Sequence, residues 1–141
     1  MLFVVFTTGC GGGGASPSTG PSSTSTAVTG KWSGTAPDGL IVDVINGQCP
    51  RAFDVEFTFN TSTSGEIGTA TTRLRETPCL DVLNGVHSYG LNKGTVNGNN
   101  VEFDFGSGAY HFSGTVAGSK MTGSFSIIEF PQSGHFVVTR Q

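Results

Sequence analysis

A period of two in the apolar side chains constrains this chain more than any other feature. In Ala52-Phe53-Asp54-Val55-Glu56-Phe57-Thr58-Phe59, the residues Phe53, Val55, Phe57 and Phe59 fall on one side, with Asp54, Glu56 and Thr58 on the other. The run Asn100 to Phe105 repeats the pattern, with Val101, Phe103 and Phe105 opposite Glu102 and Asp104. Tyr110, Phe112 and Val116 share a face, as do Met121, Phe125 and Ile127, and then Phe136, Val138 and Arg140. Side chains alternate across a strand, so each run predicts a strand with one apolar and one wet face, as in antiparallel sheet. Asp38-Gly39, Asn46-Gly47, Asn84-Gly85 and Asn97-Gly98 read as hairpin turns between such runs. An internal echo, Gly94-Thr-Val-Asn-Gly-Asn-Asn-Val101 and Gly114-Thr-Val-Ala-Gly-Ser-Lys-Met121, reads as two successive hairpins of a meander.

Strands are predicted near 29–36, 40–46, 52–60, 66–75, 86–96, 100–106, 109–117, 120–128 and 134–140. No segment has helical periodicity. Eight or so short strands in one small domain predict an all-β fold: a single antiparallel up-and-down barrel, whose closure removes exposed edges. Charged residues make up only 12% of the chain, and its 22 glycines suit strands joined by tight turns.

Charge is unevenly placed. Residues 1–30 contain none of the 7 Lys/Arg and 10 Asp/Glu. The stretch from Gly11 to Val28 is rich in Gly, Ser, Thr and Pro and lacks periodicity. It buries too little apolar area to offset its ordering entropy, which predicts a disordered tether with a reach of roughly 25 Å. The expected division is a leader over 1–9, Cys10 with its linker over 10–28, and a barrel over 29–141.

The leader is Leu2-Phe3-Val4-Val5-Phe6 followed by Thr7-Thr8-Gly9-Cys10. It resembles the lipobox of bacterial lipoproteins. The basic residues usual before the apolar core are missing, that core is shorter than the usual about 7–15 residues, and Thr7 stands where Leu is commoner. A mis-assigned start or a truncated upstream segment accounts for the first two departures. The resemblance implies lipidation at Cys10, cleavage before it, and a membrane held as partner through that lipid. Gly11, in place of an Asp, leans toward the outer membrane or cell surface. Lipidation of Cys10 leaves Cys49 and Cys79 as an even pair, and in an oxidising compartment these are expected to form a disulfide. Two free thiols or a metal are the other readings, and the spacing is poor for zinc.

Thr29-Gly30-Lys31-Trp32 on the first strand, with Arg140 on the last, resembles the calycin superfamily of lipocalins, avidins and small bacterial protease inhibitors. The resemblance implies that Gly30 and Trp32 sit at the closed end of the barrel and that Arg140 packs across the indole. A core Trp with an exposed terminal Arg is the plainer reading. Biotin sites hold several Trp; this chain has 1.

The sequence carries no nucleophile motif, no metal-binding helix motif and no phosphate loop, and neither a catalytic site nor a cofactor nor a metal is expected. His111 falls on the wet face with Glu102 and Asp104, which reads as a cross-strand surface pair. Arg73 and Arg75 read either as an anion clamp or as charges guarding an edge. A net charge of −3 without any basic run argues against nucleic acid. Three functions remain. The preferred one, by analogy with the calycins, is a small apolar ligand held by Phe53, Phe57, Phe103, Phe105, Phe112 and Phe125. The others are a module that binds an envelope protein, as protease-inhibitor barrels do, and a structural envelope lipoprotein.

Overall fold

The structure is a computed structural model that describes residues 28–43, 52–61, 65–75, 86–128 and 132–141. Its strands are β1 (Gly30–Gly34), β2 (Leu40–Val42), β3 (Ala52–Phe53), β4 (Val55–Thr61), β5 (Ile67–Arg75), β6 (Val86–Asn97), β7 (Asn100–Phe105), β8 (Tyr110–Ala117), β9 (Lys120–Ile127) and β10 (Gln132–Arg140). All pairings are antiparallel between neighbours, and β10 returns to pair with β1. β1 and β2 both pair with β10, and β3 and β4 continue one another past Asp54. Each of these two pairs is one interrupted stave, so the wall is an eight-stranded closed up-and-down barrel. Among the described residues no α-helix occurs; Gly106–Gly108 forms a single 3-10 turn.

The interruption of the first stave corrects the reading of Asp38-Gly39 as a hairpin. Gly34 pairs with Val55 and Leu40 with Phe53, so both halves lie against the same neighbour. Residues 35–38 loop out between them. A Cβ on Gly34 would meet the Gly39 Cα at 2.8 Å and the Val137 carbonyl oxygen at 2.1 Å, so the side-step requires two glycines. Thr35 O accepts the amides of Asp38 (3.0 Å) and Gly39 (2.9 Å), and Asp54 Oδ1 accepts that of Ala36 (3.0 Å).

The echoed hairpins have the same build. Gly98 and Gly118 open two-residue turns with φ of 61° and 62°, a conformation that side chains rarely adopt. Gly94 and Gly114 point inward, where Ile67 and Phe136 respectively fill the space a side chain would take.

The core lies inside the barrel. Phe57 packs against Phe103 and Phe112 at 5.2 Å between centroids and against Phe136 at 5.6 Å. Phe103 stacks on Phe112 at 5.1 Å, and Phe112 on Phe125 at 5.7 Å. Eight-stranded barrels have an interior about as wide as the side chains that fill it, often by setting small against large. That rule places Gly114, Gly123 and Gly134 here: a Cβ on each would come within 3.0 Å of a ring atom of Phe136 or Phe125.

The two rims differ. One carries the start of β1, the two-residue turns at Gly98 and Gly118, and the end of β10. The other carries the connections 43–52, 75–86, 105–110 and 127–132. Cys10, Cys49, Cys79, Asn46-Gly47 and Asn84-Gly85 lie outside the described residues. Val28, assigned to the linker from sequence, is buried in the core and belongs with the barrel.

Candidate functional site

At the short-turn rim the Trp32 indole is fully buried and donates from Nε1 to the Val28 carbonyl at 2.8 Å. Trp32 and Arg140 are register partners, and the Arg140 guanidinium carbon sits 4.7 Å from the ring centroid. Gly30 has φ of 123°. The amide of Arg140 donates to Ser119 O, and that of Gln141 to Lys31 O, so the last strand is tied on both sides. A cation over an indole face contributes about 0.5–1 kcal/mol when exposed, as Arg140 is.

The six Phe expected to line a pocket are all buried at 4% exposure or less. Phe57, Phe103, Phe105, Phe112 and Phe125 pack on one another, and Phe53 is buried beside Leu40 on the β2–β3 pair. Their faces meet other rings, with glycines opposite.

The outer wall offers more chemistry. Across β6 to β10 one register row reads Thr95, Glu102, Ser113, Ser124 and His135, each the partner of the next. A second row, two residues along each strand, reads Asn97, Asn100, Thr115 and Thr122. These rows line a shallow groove of about 750 Å³, with Gly114 and Gly123 in its floor. Both glycines point inward, so it is their backbone that lies between the outward rows. A Cβ on Gly123 would lie 2.6 Å from the Gly114 Cα and 2.0 Å from the Ser113 carbonyl oxygen. Ser113 Oγ and Ser124 Oγ share a hydrogen bond of 3.2 Å. At the margin His135 Nε2 pairs with Asp43 Oδ1 at 2.9 Å.

Beside the groove lies the cluster read from sequence as a surface pair. His111 Nδ1 meets Asp104 Oδ1 at 2.6 Å, and its Nε2 lies 3.8 Å from Glu102 Oε1. Lys93 Nζ adds a contact to Asp104 Oδ2 at 3.3 Å. Asp104 is only 6% exposed although it points outward, because Lys93 and His111 cover it. Alternation within one strand does not show that cover; it follows from the register of the β6–β7 hairpin, which sets Lys93 opposite Asp104. A carboxylate faces each ring nitrogen of His111, which suits ion pairing across strands.

Arg73 lies outward on β5 between β4 and β6, so it guards no edge. It lines a hollow of about 400 Å³ with Lys31, Asp54 and Glu56. Lys31 Nζ pairs with Glu56 Oε2 at 2.9 Å. Among the described residues, two carboxylates offset the two cations there. The side chain of Arg75 lies outside the described residues.

Comparisons with protein-family models, with curated proteins and with solved structures found no match to this chain.

Proposed function

We propose that this chain is a lipid-anchored protein of the bacterial envelope whose barrel acts through its outer wall as a recognition module. The observation that carries the reading is the filled interior. The rings of Phe57, Phe103, Phe112 and Phe136 occupy the barrel's cross-section at 5.1–6.3 Å from one another, and inward glycines accommodate them. An apolar ligand among the six Phe would have to part contacts that already satisfy the hydrophobic drive. The outer wall instead presents a groove with unburied hydrogen-bonding groups.

The anchoring half of the proposal rests on Thr7-Thr8-Gly9-Cys10 and the charge-free stretch behind it. Gly11 after the cysteine supports the outer membrane or the cell surface. Changing Cys10 to Ser is expected to move the protein from the membrane to the soluble fraction; continued membrane association would sink the anchor. Native mass spectrometry of the full-length protein from a bacterial host tests the other half. Recovery of the chain cleaved before Cys10 and carrying only its covalent lipid is expected, and a non-covalently bound apolar metabolite would overturn the outer-wall reading in favour of an interior carrier.

A further inference from the structure

We infer that the groove over β6 to β10 binds an uncharged, polyhydroxylated ligand, a glycan chain, an inference that rests on the outer-wall reading above. The groove's chemistry carries it. Hydroxyl side chains donate and accept, and amide side chains do both from separate atoms. Sugar hydroxyls also do both, so two rows of such groups can each satisfy successive hydroxyls of a sugar chain. The row from Thr95 to His135 crosses five strands, with polar groups recurring at the inter-strand spacing of about 4.8 Å. That spacing is comparable with a sugar ring, so the row matches a repeating ligand laid across the strands. The backbone at Gly114 and Gly123 lines the groove between the two rows, where a broad ligand can lie against the wall.

Other ligand classes fit the groove less well. Among the described residues no Lys or Arg lines it, which disfavours phosphate and polyanions. No group of three or more ligating residues is placed for a metal among the described residues. Protein interfaces concentrate energy in buried aromatic and Arg anchors, and among the described residues no Trp, Tyr, Phe or Arg lines this surface. Glu102 Oε1 lies 3.8 Å from His111 Nε2, beyond hydrogen-bond reach, so this carboxylate can accept a hydrogen bond from a sugar hydroxyl and fix register.

The test applies full-length protein in detergent to an array of uncharged oligosaccharides and titrates the retained sugars by calorimetry. The double variant Ser113→Ala/Ser124→Ala is expected to bind about tenfold more weakly. Thr58→Ala, outward on β4 and away from the groove, is expected to leave affinity unchanged. If the first variant fails to fold, Thr115→Ala/Thr122→Ala in the second row replaces it, with the same expectation. Retention of no sugar, or equal binding by every groove variant, would overturn the glycan assignment. A polypeptide captured by a photo-crosslinker at Ser124 and competed by no sugar would also overturn it, yet leave the outer-wall reading standing. Only an apolar ligand inside the barrel would remove both.

Discussion

The inner and outer faces of the β8–β9 hairpin are built from the same sixteen-odd residues and follow opposite rules. Inward, Phe112, Val116, Met121 and Phe125 are large and buried, and the gaps between them are glycines. Outward, Ser113, Thr115, Thr122 and Ser124 are small, polar and at least partly exposed. The glycines connect the two faces. Gly114 and Gly123 admit the Phe136 ring on the inside, and their backbone lines the groove on the outside. A residue chosen for core packing thus shapes the surface, and the inner face holds the stability while the outer face is free to carry specificity.

Inner-face substitutions should give the largest effects. Phe57 touches rings on several strands, and Phe57→Ala is expected to cost about 3–5 kcal/mol in urea unfolding. Gly123→Ala is expected to cost at least about 3 kcal/mol, because a Cβ there would lie 2.0 Å from a strand carbonyl, which cannot rotate away. A Gly123→Ala protein as stable as wild type would break the link between core and groove.

The two rims offer a second contrast. The short-turn rim is closed by Trp32, Arg140 and two-residue turns, whereas the connections 43–52 and 75–86 meet the other rim. In the sequence Cys49 falls between β2 and β3 and Cys79 between β5 and β6, both outside the described residues. A Cys49–Cys79 disulfide would close a loop of about 30 residues, contributing roughly 3–4 kcal/mol in the chain-entropy model. Alkylation of unreduced protein followed by mass spectrometry is expected to leave both thiols unmodified, and recovering both alkylated would exclude the bond. At the opposite rim Arg140→Gln is expected to cost only about 0.5–1 kcal/mol. The 1 Trp makes fluorescence a direct reporter of that contact. An unchanged emission spectrum in the variant would show that the cation does not perceptibly act on the indole.

Most of the fold was legible because the pattern has period two. The inward residues of β4, β7, β8 and β9 are those that alternation assigns, and the barrel follows from their number. The echo at Gly94 and Gly114 was legible as paired hairpins. Its consequence was not: it sets Thr95 and Thr115 on one outer face, a matter of register between strands. The side-step at Gly34 and Gly39 was read as a hairpin, because Asp38-Gly39 has the same local chemistry in either setting and only the pairing of Leu40 with Phe53 separates them. The six Phe were correctly placed inward. Whether inward rings leave a cavity depends on the glycines facing them across the barrel, which one strand's sequence does not reveal.

The smallest expected effect bears most directly on function. Ser113 and Ser124 lie on the outer face and share a hydrogen bond of 3.2 Å within reach of water. Water replaces such a bond readily, so the double change to Ala is expected to alter unfolding free energy by no more than about 0.5 kcal/mol. A bound sugar would exclude that water, and the same lost hydroxyls would then leave sugar groups without partners. The two faces are therefore separable by experiment: inner variants should lose stability and binding together, whereas this outer variant should lose binding alone. If the double variant instead unfolds at a clearly lower urea concentration, the row of hydroxyls is part of what holds the wall together, and its regularity reflects packing between strands.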